Sequence, residues 1–337
     1  MNTHNSTGAP RLTVVIPTHR RPRILTETLT RLGHFGAQNP IEVIVVHDGE
    51  DERTATVANE VAQVAPWPLS VLVQSGFGPA PKRNRAIAEA RAACCLFIGD
   101  DALPSAELLA THIRFHDANP DRSAALLGLT VPAPPLDASP YIEWLHREGV
   151  QFDYARLAAG DDAGPGRFWT INVSAKTELM RDVGGFNEDY PVVAGEDIEF
   201  GYLLARAGMR LTYEPRALNF HFHPTSLSNT LIRMKDVGVG FRMLCERVPE
   251  VEPPSRPGAR HRLKAAALSL ALACGAPGGT RERTWRFLCD EMMREAFWDQ
   301  DPGALPRIGH ALSRRATREE IANPPFPLDP DPGQTRG

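Results

Sequence analysis

Gly99-Asp100-Asp101 follows the apolar run 94–98, so two adjacent carboxylates stand at the end of what reads as a buried strand. Side by side, such charges repel unless water or a cation neutralises them. Magnesium or manganese takes oxygen ligands and bridges phosphates, so the pair points to a phosphate-bearing substrate. A turn whose aspartate caps the next helix accounts for the same residues without a ligand. His221-Phe222-His223 follows another short strand, and period-two alternation puts both imidazoles on one face with Phe222 opposite. One or both could bind a metal, although a lone histidine is more often structural. Gly195-Glu196-Asp197-Ile198-Glu199 sets three carboxylates in the first turn of a helix, where they complement its dipole. A carboxylate fixed there beside a cleft also suits a general base. The loop Gly78-Pro79-Ala80-Pro81-Lys82-Arg83-Asn84 leads into a helix, so its amides and cations either hold an anion or form a rigid, solvated turn. Asp48, at another strand end, either accepts a hydrogen bond from a base or ribose or caps the next helix.

These residues need a scaffold that gathers strand ends. The β-branched runs 12–16 and 43–46 flank a stretch in which Leu25, Thr28, Leu29 and Leu32 recur at helical spacing, the pattern of a right-handed parallel crossover. Helices at 54–65 and 83–92 and strands at 69–73 and 94–98 continue it. In open parallel sheets ligands bind beyond the carboxyl ends of the strands, so the loops at Pro17, Asp48 and Asp100 should converge. A helix at 105–117, a Pro-rich surface connection at 132–140, a strand at 168–173 and helices at 175–183 and 196–207 follow, the last closed by Gly208. A further strand begins at 211–213. The fold class is therefore α/β.

Composition excludes several classes. Of 337 residues, 42% are hydrophobic and 23% charged, which is ordinary globular usage, and a net charge of −4 gives no broad attraction for nucleic acid or anionic lipid. Five cysteines without CxxC spacing suggest neither a zinc ribbon nor a disulfide framework, and fit a reducing cytoplasm. The most apolar late stretch, 265–274, is about half of what a membrane-spanning helix needs. No secretion signal is expected in the polar segment 1–10.

Read in order, Val14-Val15-Ile16-Pro17-Thr18-His19-Arg20-Arg21-Pro22, Val45-Val46-His47-Asp48-Gly49, Lys82-Arg83-Asn84, Gly99-Asp100-Asp101, Gly184-Gly185-Phe186-Asn187-Glu188 and Gly195-Glu196-Asp197-Ile198-Glu199 resemble the inverting GT-A glycosyltransferases of family 2. The resemblance covers roughly residues 12–224. It implies a Rossmann-like nucleotide-binding fold in which Pro17, Thr18 and Arg20 line the nucleotide pocket, Asp48 bonds the base and Arg83 lies near the phosphates. It further implies that Asp100 faces ribose or metal, that Asp101 with His221 or His223 holds Mn2+ or Mg2+, and that Asp197 is the catalytic base. Glu196 then supports the loop or contacts the sugar, and Trp169 and Asn172 are candidates for the donor–acceptor floor, though an indole there can equally be core packing. The implied donor is a UDP-sugar, and the acceptor is a saccharide, a lipid-linked molecule or a small natural product. Three departures stand out: Gly99 where many relatives have a third aspartate, His47 in place of an acidic residue, and Asn187 in place of aspartate.

The expected organisation is a flexible tail at 1–10, a catalytic domain at 11–224, a helical region at 225–322 and a Pro-rich, disordered tail at 323–337. Within the helical region the spacing predicts helices at 227–247, 260–274 and 281–297. A homodimer interface or a peripheral membrane attachment through these helices both stay open. Two rival readings are a catalytically silent relative that binds a nucleotide sugar or a partner enzyme, and a sugar-1-phosphate nucleotidyltransferase. The second calls for a glycine-rich N-terminal phosphate loop, and residues 17–22 contain no glycine.

Overall fold

The computed structural model describes residues 9–256 apart from 135, 137 and 138, then residues 263, 264, 267, 270 and 274 and the stretch 278–298. Residues 1–8 of the expected N-terminal tail, the C-terminal tail, and most of the helix expected at 260–274 lie outside the described residues.

Strand β1 (Leu12–Pro17) is the hub. Its alternate side chains enter two cores: Val15 joins Ile44, Val46 and Phe97 on one face of the sheet, while Val14 and Ile16 join Leu25, Leu29, Val43 and Leu96 on the other. A strand buried on both faces needs a nearly continuous apolar run and a covered sheet, and the one polar side chain of LTVVIP, Thr13, is buried and donates to Glu42 Oε1 at 2.6 Å. Strand β2 (Ile41–His47) pairs parallel to β1 with Val14 opposite Val43, and β4 (Cys94–Ile98) pairs parallel on the other side. Strand β3 (Leu69–Val73) completes the parallel half next to β2. Helices α1 (Pro22–Gly36), α2 (Glu52–Val64) and α3 (Ala80–Glu89) make the crossovers. The turns after β1, β2 and β4 therefore emerge along one edge, as expected for Pro17, Asp48 and Asp100.

The second half is mixed. After β5 (Ala102–Pro104) and α4 (Leu108–Ala118) come β6 (Ala124–Pro132), α5 (Pro140–Arg147), β7 (Asn172–Lys176), α6 (Thr177–Asp182), α7 (Glu196–Arg206) and β8 (Arg210–His221). The sheet order is β3-β2-β1-β4-β7-β6-β8-β5, with β7 antiparallel to both β4 and β6. One sequence expectation is corrected here, and two elements are added to it. The strand expected at 168–173 forms at Asn172–Lys176 instead, because its alternate polar residues are buried and paired: Ser174 bonds His112 and His116 of α4. Strand β6 was not expected, since Gly128 and Pro132 interrupt its apolar run. Yet Gly128 fits only as glycine, because an added Cβ would meet the Ala217 carbonyl and Asn172 Nδ2, each at 2.3 Å, at the point where the β6–β8 register shifts. Helix α5 was not expected either; it starts where the Pro-rich connection at 132–140 ends, with Ser139 capping it and Pro140 as its first residue.

Helices α8 (Leu227–Arg247) and α9 (Gly278–Trp298) coincide closely with the expected 227–247 and 281–297. They are packed into the molecule: Leu231 and Met234 of α8 and Leu288 and Met292 of α9 share one apolar cluster with Tyr141, Trp144 and Leu145 of α5. Closer still, a Cβ on Gly240 would lie 2.1 Å from the Ala194 carbonyl, immediately before α7. Gly240→Ala is thus expected to force α8 off the loop that starts α7 and to cost about 1–3 kcal/mol, read as a lower midpoint in thermal unfolding.

Candidate active site

The edge where β1, β2 and β4 end opens into two adjoining cavities, one of about 650 Å³ and one of about 710 Å³, which share Pro17, Arg21, Pro79, Asp100 and Val193. At their junction lie the two carboxylates. Thr18 Oγ1 donates to Asp100 Oδ2 at 2.8 Å, and Arg21 Nη1 donates to Asp100 Oδ1 at 2.8 Å and Asp101 Oδ2 at 2.7 Å. Burial and the Asp101 charge push the Asp100 carboxyl up. Asp101 goes the other way: burial opposes its ionisation, but His221, His223 and Arg21 hold it well below the usual carboxylate range. A Cβ at Gly99 would lie 2.7 Å from Asp101 Oδ1 and 2.8 Å from Ile171 Cδ1, so a third aspartate there would have to displace both side-chain ends.

Strand β8 delivers His221 to the same point, and the backbone N–H of Phe222 donates to the Asp101 carbonyl at 2.8 Å. His221 Nε2 is 3.5 Å from Asp101 Oδ1 and His223 Nδ1 is 3.7 Å from Asp101 Oδ2. The two rings stack at 5.1 Å with Phe222 turned the other way, into the cluster formed by α5, α8 and α9, as alternation requires. One carboxylate and two imidazoles, with a donor atom from each lying within 4.8 Å of the others, form a set that could hold a metal ion. An open triad of one oxygen and two nitrogen donors fits a divalent transition ion.

The smaller cavity is lined by Pro17, Thr18, His19, Asp48, Lys82 and the exposed ring of Phe77, among others. His19 pairs with Asp48, whose other oxygen accepts the Glu50 N–H. Against burial, these partners lower the Asp48 pKa. Lys82 Nζ donates to the carbonyls of Gly78 (3.1 Å) and Gly76 (3.4 Å), and burial lowers its pKa despite Asp48 and Glu50 nearby. Arg20 does not join them. It turns the chain with φ 51° and its side chain pairs with Glu50 at the surface, so of this adjacent pair it is Arg21 that enters the site.

The larger cavity carries Arg83, Glu196 and Asp197, with Trp169 and Thr170 beside them. Gly195, at φ 95°, swings the chain into α7 and leaves Glu196 and Asp197 as its first two residues. Glu196 Oε1 accepts from Arg83 Nη1 at 3.0 Å, while Glu196 Oε2 and Arg83 Nε are buried with no partner among the described residues. Asp197 accepts the Ile198 N–H at 2.9 Å, yet burial and the Glu196 charge push its pKa up to about 6. That value suits a base working near neutrality. Trp169 is braced edge-on by Phe152 at 5.1 Å and Tyr154 at 5.0 Å. Asn172 corrects the expected floor: it is wholly buried, takes His112 Nε2 at 3.0 Å and donates to the carbonyls of Leu129 and Ala217, so it pins the β6–β8 irregularity and does not line the cavity.

Two site residues escaped the sequence reading. Arg21 was legible in principle, since Pro22 is the first residue of α1 and the residue before it is the N-cap at the strand edge. His146 of α5 bonds His221 Nδ1 at 3.0 Å, and burial drives its own pKa down to about 3; its helix was hidden behind the Pro-rich run.

Residues 13–146 match the family model described as Glycosyl transferase family 2. Validoxylamine A glucosyltransferase of Streptomyces hygroscopicus subsp. limoneus is 28% identical over 230 residues, or 60% of this chain and 49% of that protein. The chain thus spans about half the length of the curated relatives it matches first. Mannosyltransferase PcManGT from Pyrobaculum calidifontis, solved with GDP-Man and Mn2+, superposes with a TM-score of 0.58 at 18% identity, covering 88% of this chain and 89% of that one. S. aureus TarS 1-349 in complex with UDP-GlcNAc gives 0.52 at 16% identity, covering 85% and 90%. At such identities the structural likeness speaks to the fold, which is of the GT-A type. The strand-end motifs at Pro17, Asp48 and Asp100 lie inside the segment that matches glycosyl transferase family 2, which is less than half of the chain.

Proposed function

We propose that the protein is an inverting glycosyltransferase that moves a sugar from a nucleoside-diphosphate sugar, UDP-linked, to an acceptor hydroxyl. One observation carries this reading: a carboxylate with a pKa of about 6 and a carboxylate–imidazole triad face the same cavity, next to a second cavity lined by cations and a strand-end aspartate.

The nucleotide occupies the smaller cavity, with Asp48 accepting an imide N–H from the base, as uracil offers. Lys82 and Arg21 lie where they attract the diphosphate. Two imidazoles beside one carboxylate suit manganese better than magnesium, whose shell is built from oxygen. Held by Asp101, His221 and His223, such an ion supplies Lewis-acid neutralisation of the diphosphate leaving group. Asp197 takes the proton of the acceptor hydroxyl as that oxygen bonds to the anomeric carbon. The carbon–oxygen bond to the diphosphate breaks on the opposite side, so a single displacement inverts the configuration. The free Oε2 of Glu196 and Nε of Arg83 suit a sugar hydroxyl, which accounts for two buried polar atoms left without partners. Leu145, Val150, Met234 and Val237 line the same cavity as Trp169 and offer the acceptor an apolar wall to which α8 contributes. No helix among the described residues is long and apolar enough to cross a membrane.

Calorimetric titration with UDP, GDP and dTDP, with and without manganese, tests the donor site. Selective binding of UDP that tightens with the ion is the expected result. Absence of binding by all three would overturn the reading, and preference for GDP would correct the base.

A further inference from the structure

We propose that His146 is a positioning residue that fixes His221 as its Nδ1–H tautomer, and so turns the Nε2 lone pair of His221 toward Asp101 and a cation held between them. The proposal rests on the reading of Asp101, His221 and His223 as a metal centre.

The chain of donors runs one way. His146 Nδ1 lies 3.0 Å from the Ile142 carbonyl, which can only accept, so Nδ1 carries the hydrogen. In a neutral ring the other nitrogen, Nε2, is then an acceptor. It faces His221 Nδ1 at 3.0 Å, and two ring nitrogens at that distance share one hydrogen, which must belong to His221. A charged His221 would hold the Asp101 carboxyl low through an Nε2–H, whereas a neutral His221 presents a bare Nε2 to Asp101 Oδ1 at 3.5 Å. Two lone pairs facing each other at this distance call for a positive charge between them, which a divalent ion supplies. Metal-bound histidines generally donate their second N–H to an outer partner that fixes ring and tautomer. Here that partner is a second imidazole whose own tautomer is set by a backbone carbonyl.

The fold holds His146 firmly enough for this task. Its ring packs against Phe152 at 5.7 Å and His221 at 5.2 Å. Its helix is anchored by Tyr141 and Trp144, whose rings lie 5.2 and 5.5 Å from Trp285 of α9. The C-terminal helices thereby reach the metal ligands through α5.

The test begins with the whole chain labelled with 15N-histidine, stripped of metal and held at pH 8. Long-range 1H–15N correlation reads each ring's tautomer, and His221→Gln identifies the His221 signals. The expected spectrum has His221 protonated at Nδ1 alone; protonation at Nε2, or at both nitrogens, would overturn the proposal. Manganese affinity is then measured in two variants. His146→Gln keeps an acceptor oxygen near the place of Nε2 and is expected to stay within about threefold of wild type. His146→Leu removes the acceptor and is expected to bind about 10–100-fold more weakly. Equal affinity in wild type and His146→Leu would sink the positioning role alone. A wild type that takes up no manganese would instead overturn the metal centre, while the tautomer spectrum still judges His146.

Discussion

Asp197→Asn should bind the nucleotide as wild type does and lose transfer by on the order of 10²- to 10⁴-fold, because an amide cannot take the acceptor's proton. The amide oxygen can still accept the Ile198 N–H, so the start of α7 is preserved. In the wild type, kcat/KM for the acceptor should fall toward acid with a midpoint near 6, since burial and the Glu196 charge place the Asp197 pKa there and only the ionised form is a base. That limb should vanish in the variant. Stability should move in the opposite sense. A carboxyl with a folded pKa of about 6 against an ordinary 3.8 favours the fold below the lower value, and this advantage is lost as the pH rises through 6. The wild type thus carries a cost of about 3 kcal/mol at pH 8 that the asparagine relieves. Thermal unfolding should show the variant more stable at pH 8 and equal to wild type at pH 4. Undiminished turnover at pH 8 would remove Asp197 as the base.

The residues behind this expectation were readable because their positions follow from strand and helix punctuation. An apolar run ending in Gly99-Asp100-Asp101, and Gly195 opening a helix, put carboxylates at element ends whatever the rest of the chain does. Period-two alternation likewise predicted that His221 and His223 share a face, and they stack at 5.1 Å. What escaped was set by tertiary pairing. Strand β7 presents Asn172, Ser174 and Lys176 to the interior, where His112, His116 and backbone carbonyls satisfy them, so hydrophobic patterning placed the strand four residues too early. Arg20 and Arg21 are indistinguishable by type, and only the φ of 51° at Arg20 separates the surface cation from the one that grips both aspartates. His146 lies 75 residues before His221, and no spacing rule joins them.

Asp101→Ala should abolish the effect of manganese on nucleotide affinity, so that UDP binds with the same constant with and without the ion. The argument is one of charge. Asp101 is the one carboxylate among the three candidate ligands, and its pKa is held low by the very groups that surround the ion's place, so it is charged throughout the neutral range. Without it two imidazoles remain, and the nearest carboxylate, Asp100, is bound by Thr18 and Arg21 and has its pKa pushed up. Arg21 loses one of its two partners in this variant and still has Asp100, so the nucleotide should keep its metal-free affinity. Asp101→Asn separates folding from charge, since it retains the shape of a side chain buried among Arg21, His221 and His223 while removing its negative charge. Both variants should lose the manganese effect, and transfer should fall with it, because the diphosphate then leaves without its counter-charge. Manganese-dependent UDP affinity that survives in both would take the metal away from Asp101 and leave Arg21 as the cation this carboxylate exists to hold.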